Sequence, residues 1–316
     1  MPSVRSAYAS RTQEPKIAGD VDQIELAAVR GHSAVVDEAT RDEIVSGELD
    51  DDAELRAEDL GTESWQQRDL AQEEIVGSAA DEIRARLVEL GPAYPFEFTG
   101  KRLIHRPSRS GFYEFCLAAS TAPSITADPY TAFPRYFERA VAGLIRYYFG
   151  RDKRALHVGW PRRPSTSFKV AMSPLARQRF EWVWGPEDGM DDDPPHTVTK
   201  DESVDFVVTI DLLDSRPGNL YVLGQCACGN DWDTKLGEPD AKRIAKWFRP
   251  AWIIDPLRAF TTPFVLGDQT IRETSRKSQA IVFDRIRLVL VAENMIPVGH
   301  QHALRRRLAG VSALVL

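Results

Sequence analysis

The chain has few cysteines, no long apolar run and none of the common nucleotide-binding or hydrolase motifs. Three cysteines among 316 residues are too few for a disulfide framework and fit a reducing compartment. No stretch approaches the roughly 18 to 20 apolar residues of a membrane span, and residues 1–17 lack the apolar core of a secretory signal. We therefore expect a cytoplasmic protein with no membrane partner.

Sequence motifs exclude several classes of site. A phosphate-binding P-loop, a GxGxxG turn and a nucleophile elbow are all absent. The pair Cys226 and Cys228 lacks the second ligand pair that a structural zinc site needs. Zinc is therefore not favoured as a structural metal.

Charge is distributed unevenly along the chain, whose net charge is −7. Residues 1–75 carry a net charge of −12, and the remaining residues carry +5. An acidic leader before a mildly basic body is compatible with a nucleic-acid-binding protein, and equally with an ordinary solvated acidic surface. Charge alone does not decide between them.

The hydrophobic pattern predicts a helical N-terminal region and an α/β remainder. Residues 1–19 are typical of a flexible tail, and residues 20–125 should be mainly helical, with an acidic linker near 47–62. Residues 126–316 are expected to form an α/β core. Within these regions the pattern predicts helices at residues 70–90, 112–120, 133–150, 238–248 and 301–308, and extended segments at 94–98, 102–105, 204–213, 219–227 and 257–266.

The most informative feature is a pair of apolar segments joined by a sequence rich in turn-forming residues, which predicts an antiparallel hairpin. Each segment carries one polar residue, Asp205 or Gln225, at a core position. A core strand keeps a carboxylate only when it is paired, hydrogen-bonded or bound to a metal, because burying it otherwise is costly. The hairpin brings Asp205 to within about two residues of the position opposite Gln225. This pattern favours a divalent-metal site.

A further acidic residue lies on the predicted helix at residues 133–150. Apolar side chains at helical spacing form a stripe on this helix, and Gly150 is a suitable C-terminal stop. Glu138 lies beside the stripe, directly after Phe137, where its carboxylate could reach the edge of a sheet. A solvent-facing or arginine-paired glutamate is the alternative, and taken alone it is the more frequent case.

Two basic segments are candidates for contact with phosphate. Lys242, Lys246 and Arg249 are spaced to fall on one helix face, and Arg162 and Arg163 lie in a proline-bounded loop. A solvated basic face and a surface turn explain these segments equally well.

The order of these parts resembles the restriction-endonuclease-like, PD-(D/E)XK nuclease superfamily, and in particular an uncharacterised bacterial branch associated with phage-defence loci. The resemblance spans roughly residues 20–316. Its motifs are short and moderately specific, so the resemblance rests mainly on their order and spacing. They are YPF at residues 94–96, FE at 137–138, VD at 204–205, GQCA…G..W..K at 224–235 and PLRAF..PFVL at 256–266.

The resemblance implies a restriction-endonuclease-like α/β core, with a mixed central β-sheet flanked by helices, and a set of site residues. Asp205 matches the metal-binding aspartate of the superfamily, Gln225 matches the Glu/Gln of the next strand, and Glu138 matches the glutamate of the first helix. In the superfamily pattern, a lysine stands two residues after the position of Gln225, where this chain has Ala227. Lys235, ten residues after Gln225, is the nearest substitute.

The implied function is Mg²⁺-dependent (or Mn²⁺-dependent) endonucleolytic hydrolysis of DNA in antiviral defence. Glu138, Asp205, Gln225 and Lys235 would be catalytic, and the first three would also hold the metal. Partner defence proteins and a homo-oligomer are compatible with this function.

Two alternatives belong to other classes. The first is an inactive relative that binds nucleic acid or serves as an assembly subunit. The missing lysine after Gln225 favours it, whereas the retained Glu138, Asp205 and Gln225 favour the enzyme. The second is a metal-free protein-interaction domain, in which Asp205 would be a plain surface residue.

Overall fold

The computed structural model describes residues 13–36, 63–151, 153–162, 166–176, 181–185, 200–212, 214 and 216–316. The acidic linker expected near residues 47–62 and Arg163 lie outside the described residues, as does most of the tail expected at 1–19. In the described part of the chain, no helix combines the length and apolarity needed to cross a membrane.

Helices and strands alternate over most of the described chain. In order they are α1 (Gln13–Gly31), β1 (Ser33–Val35), α2 (Glu63–Leu90), β2 (Phe96–Thr99), β3 (Arg102–His105), α3 (Phe112–Thr121), α4 (Ala132–Phe149), β4 (Arg154–His157), α5 (Phe168–Ala176), β5 (Phe206–Ile210), β6 (Leu220–Cys226), α6 (Ala241–Ala245), β7 (Leu257–Thr261), α7 (Asp268–Ser278), β8 (Ile281–Phe283), α8 (Arg285–Asn294) and α9 (Val298–Ser312).

The central sheet has five strands in the order β4-β5-β6-β7-β8. The first two strand pairs are antiparallel and the last two are parallel, so the predicted mixed sheet is confirmed. A separate antiparallel sheet, β1-β3-β2, accompanies the N-terminal helices. The described part of the chain is therefore a mixed α/β structure with two sheets flanked by helices.

Several predicted elements differ from the observed ones at their ends. The strand predicted at residues 257–266 ends at Thr261, two residues before Pro263, and lies between two partners. The helix predicted at residues 238–248 is reduced to the short α6. The apolar run at residues 281–293 divides into β8 and α8 at Asp284, whose side chain accepts a hydrogen bond from the Arg287 N–H and caps the helix.

Helix α4 covers one face of the central sheet. Its apolar stripe, predicted from the sequence, is buried at Phe133, Phe137, Val141 and Ile145, against a core that includes Phe206 of β5. The opposite face carries a second cluster rich in aromatic side chains. That cluster includes Trp182, Trp247, Phe168, Val207 and Leu223. The two faces thus bury alternate residues of β5, as the pleat requires.

A fully buried ion-pair network joins the N-terminal helices to α8. Arg285 contacts Asp22 of α1 at 2.7 Å, and Arg86 of α2 contacts Asp22 at 2.8 Å and Glu25 at 3.0 Å. Burial alone would raise the pKa of Asp22, but the charges of Arg285 and Arg86 outweigh it and hold that pKa below its ordinary value. Residues before and after the expected boundary at 125 thus share one network.

Replacing Arg285 with methionine should destabilise the protein by about 3 to 5 kcal/mol, because part of the buried carboxylate charge of Asp22 and Glu25 would lose its counter-charge. Urea unfolding followed by circular dichroism measures the change. Arg84→Met, which removes an exposed pair with Asp81, is the matched control and should cost less than about 1 kcal/mol. Equal losses in the two variants would contradict a structural role of the network.

Candidate functional site

The β5–β6 hairpin forms in the predicted antiparallel arrangement, with Phe206 opposite Gly224. A Cβ atom at Gly224 would lie within the ring of Phe206, so only glycine lets this ring cross β6. The Asp205 N–H also donates to the Gly224 carbonyl, at 2.8 Å. Asp205, just before β5, and Phe206, its first residue, therefore both face Gly224 of β6, which is the pattern of a β-bulge.

At this bulge, Asp205 is held by hydrogen bonds from both neighbouring segments, the end of β6 and the residues that follow β4. Its carboxylate Oδ2 accepts the Cys226 N–H at 2.6 Å, and its carbonyl accepts the Val158 and Gly159 N–H groups at 2.7 and 2.9 Å. Only 6% of the residue is exposed. The interpretation of Asp205 as a plain surface residue is therefore wrong.

Glu138 of α4 meets Asp205 over Gly159. A Cβ atom built on Gly159 would lie 2.5 Å from Glu138 Oε2 and 3.1 Å from Asp205 Oδ1. The missing side chain of Gly159 leaves the space into which both carboxylates extend. Glu138 Oε2 also lies 3.0 Å from His157 Nε2, at the end of β4. The structure thus brings two predicted site residues, Glu138 and Asp205, to one point.

Burial makes both carboxyl groups unusually weak acids. Desolvation, followed by the charge of Asp201, raises the pKa of Glu138 to about 8, against the opposing charges of Arg139 and Lys235. Desolvation and the charge of Glu138 raise the pKa of Asp205 well above its ordinary value. Without a bound cation, Glu138 therefore keeps its proton at neutral pH.

His157 does not supply the missing positive charge. Burial, together with the charges of Arg139 and Arg162, lowers the pKa of His157 to about 4. The imidazole is therefore neutral at pH 7, and its contact with Glu138 is a hydrogen bond without an ionic component.

Gln225 lies on β6, next to the residue whose N–H binds Asp205. Residues alternate along a strand, and Cys226 packs in the main core, so Gln225 faces the other side of the sheet. Phe260 is its registered neighbour on β7. Gln225 is 5% exposed, and its Oε1 has no hydrogen-bond partner among the described residues. Gln225 Oε1 is thus buried without a partner on the opposite side of β6 from the Cys226 side chain, and the structure does not bring it to the acidic pair.

Lys235 ends a short 3-10 turn, Trp232–Lys235, that follows β6. Trp232 anchors this turn by packing on Phe260, with the ring centroids 6.1 Å apart. The Lys235 charge lowers the pKa of both Glu138 and Asp205, which places it within electrostatic reach of the pair. Ala227 is fully buried in the same apolar cluster, where a lysine would be costly.

Arg162 and Arg163 are the loop residues expected to contact phosphate. Arg162 is 7% exposed, and its guanidinium donates to the backbone carbonyls of Val158, Thr166 and Lys200. Arg162 therefore holds a loop together, which corrects its assignment as a phosphate contact. Arg163 lies outside the described residues.

The predicted basic helix face is also corrected. Helix α6 ends at Ala245, so Lys246 caps it and Arg249 lies beyond it. Lys246 forms an ion pair with Glu202 at 3.2 Å, which offsets its charge, whereas Lys242 is exposed. Lys242, Lys246 and Arg249 therefore do not form one continuous helical face.

Three residues of the site escaped the sequence-based prediction. His157 and Gly159 lie in β4 and its exit, and Asp201 precedes the bulge, where it accepts the Trp160 and Ser203 N–H groups at 3.1 and 3.0 Å. A glycine two residues after a strand histidine was the available signal, but its relation to Glu138 depends on packing. Among the described residues, no group of three or more His, Cys, Asp or Glu side chains is arranged to hold a metal ion.

The shifted pKa of Glu138 predicts a pH-dependent stability. The folded protein holds this proton up to a pH of about 8, whereas a free glutamic acid loses it near 4.5. Stability should therefore fall as the pH rises through that window. With EDTA present, the free energy of unfolding of Glu138→Gln, taken relative to that of the wild type, should rise by about 1 to 3 kcal/mol between pH 4.5 and pH 8.

Urea unfolding at both ends of the pH window measures this change. Glu97→Gln, on an exposed part of β2, is the matched control. The same pH-dependent gain in both variants would contradict the assignment to the buried pair.

Comparison with known proteins adds no family to this geometry. No family model matches the chain, no curated protein matches it, and no solved structure matches it. The residues of the site are therefore the basis for inferring a function.

Proposed function

We propose that the protein is a divalent-metal-dependent endonuclease that hydrolyses DNA phosphodiester bonds, with Glu138 and Asp205 as metal ligands. The observation that carries the proposal is the convergence of the buried Asp205 carboxylate and the largely buried Glu138 carboxylate over Gly159. No arginine or lysine contacts either carboxylate directly in the described structure. Such a pair is costly to ionise, unless a cation occupies the space between the two groups.

The residues present fit Mg²⁺ or Mn²⁺. Both ions prefer oxygen ligands, and Mg²⁺ usually keeps several waters, so that one or two carboxylates can suffice. Asp205 Oδ1 extends toward the space at Gly159, while Oδ2 is held by the Cys226 N–H.

The chain's own groups would divide the work. A bound Mg²⁺ or Mn²⁺ supplies a more acidic water and stabilises negative charge on the phosphate. Lys235 would place a positive charge beside the pair, in the role of the lysine that Ala227 replaces. His157 holds Glu138 in position through the contact at 3.0 Å. The same arrangement suits the phage-defence role that the resemblance implies.

One observation counts against an inactive, nucleic-acid-binding relative. The two corrected phosphate contacts, Arg162 and Lys246, are already engaged within the protein. A protein that binds DNA without cleaving it would need other basic groups, and it would not need Lys235 beside the acidic pair.

Cleavage of supercoiled plasmid in Mg²⁺ or Mn²⁺ tests the enzyme. Asp205→Asn should reduce the rate by at least about 100-fold, and Lys235→Met should reduce it by about 100-fold, since each removes a charged group that acts on the reacting phosphate. Lys277→Met, which removes a surface lysine paired with Glu273, is the matched control and should cleave like the wild type.

Two outcomes would redirect the proposal. Wild-type cleavage by Asp205→Asn would exclude this site as the catalytic centre. Salt-sensitive DNA binding without cleavage in either metal would favour the inactive relative.

Gly159→Ala tests the cation site without any need for activity. The added methyl group would enter the space shared by the two carboxylates, so Mn²⁺ affinity should fall at least about tenfold in calorimetric titration. Wild-type affinity should also rise with pH, by up to about tenfold per unit below pH 8, because the metal displaces a proton from Glu138.

Gly77→Ala is the matched control, since a methyl group there meets open space. Unchanged Mn²⁺ affinity in Gly159→Ala would remove the carboxylate pair as a cation site, whatever the plasmid assay shows.

A further inference from the structure

A cavity of about 410 Å³ lies between α4 and α9, outside the candidate metal site. One wall is the row Arg139, Gly143 and Arg146 of α4, at spacings of four and three residues, which is one face of a helix. The facing wall belongs to α9 and includes His300, Ala303 and Arg307. The volume is in the range of small-ligand sites.

The charge of this cavity is positive and unbalanced. Three arginines, Arg139, Arg146 and Arg307, line it, and no acidic residue does. None of the three forms an ion pair with a described carboxylate, and the Arg146 Nε is buried without a hydrogen-bond partner. Arg139 and Arg307 are exposed and Arg146 is half-buried, so the cavity presents three guanidinium groups at its surface, an arrangement that favours a bound anion.

The shape of the cavity depends on small residues at its centre. Gly143 lies in the interior of α4, where glycine costs about 1 kcal/mol relative to alanine, and a Cβ atom there would meet open space. Ala140 and Ala303 are the other small lining residues. The helix thus accepts a less stable residue at the point where a larger side chain would fill the cavity.

Polar and apolar groups share the remaining wall. The Tyr147 hydroxyl and His300 Nδ1 are 2.6 Å apart, and the Arg146 guanidinium lies 4.6 Å from the centroid of the Tyr147 ring. Leu144, Ile296 and Leu304 complete the lining. A ligand that combines an anionic group with a planar or apolar part would match both sides.

We infer that this cavity binds a phosphate ester of nucleotide size, with Arg146 and Arg307 as the main phosphate contacts. Arginine presents paired N–H donors that match phosphate oxygens, and Tyr147 offers a ring beside them. The ligand could be a free nucleotide or one nucleotide of a nucleic-acid strand, since both present the same chemistry.

The site is separate from cleavage but next to it. Arg139 lines the cavity, and its charge also lowers the pKa of its neighbour Glu138. Arg139 is therefore left intact in the test, and substitutions are confined to Arg146, Arg307 and Gly143. Binding is measured in EDTA, so that the result does not depend on the proposed metal site.

The test is titration of the full chain with AMP and with a short oligothymidylate. The wild type should bind at least one probe saturably, and Arg146→Ala and Arg307→Ala should each weaken binding at least about tenfold, the effect of losing one charge-assisted contact. Gly143→Leu, which fills the cavity without a change in charge, should abolish binding. Circular dichroism establishes that each variant is folded.

Arg306→Ala is the matched control, because Arg306 lies on the same helix, is exposed and does not line the cavity. Its affinity should stay within about twofold of the wild type. Tighter binding of AMP would identify a free nucleotide as the ligand, and tighter binding of the oligothymidylate would identify a strand. Binding of neither probe, or equal losses in Arg306→Ala and Arg307→Ala, would overturn the inference.

Discussion

The Phe206 ring crosses β6 at Gly224, and this contact sets the register on which the candidate site depends. Because a residue with a side chain opposite Phe206 would collide with its ring, the hairpin closes tightly only in the register that puts Gly224 there. The bulge beside it gives Asp205 a fixed carbonyl and a carboxylate tied to the Cys226 N–H. Any slip of one residue would move Asp205 to the other face of the sheet.

Two buried acidic pairs in this protein are balanced in opposite ways. Asp22 and Glu25 are surrounded by the guanidinium groups of Arg86 and Arg285, which supply counter-charge and hydrogen bonds. Asp205 is buried and Glu138 is largely buried, but in the described part of the chain their side chains contact only a neutral histidine and one N–H group. The first arrangement is self-sufficient, whereas the second is short of positive charge, which is why we assign function to the second.

Helix α4 connects the candidate metal site to the arginine-lined cavity. Its buried stripe packs on the sheet, Glu138 extends from one side of that stripe, and Arg139, Gly143 and Arg146 lie along another. One rigid element thus presents an acidic group and a basic row at a constant separation. If both sites are occupied by one nucleic-acid strand, α4 would set the distance between the phosphate that is bound and the phosphate that reacts.

The sequence by itself determined most of the elements and the identity of the acidic residues. Apolar periodicity located α2, α3, α4 and the β5–β6 hairpin, because burial of one face imposes a repeat that local spacing records. Asp205 and Gln225 were identified as the one polar residue in each of two apolar strands, because a buried polar group is costly unless it has a partner. Residues far apart in the chain could be selected, but their mutual distances could not be derived.

Only the tertiary structure decided how those residues meet. The space at Gly159, the contact of His157 with Glu138 and the engagement of Arg162 by backbone carbonyls all join segments whose relative positions depend on packing of α4 against the sheet. Burial, which raises the pKa of both carboxyl groups, is likewise a property of the assembled core. Local spacing does not encode these contacts, because each one depends on atoms contributed by two or more elements.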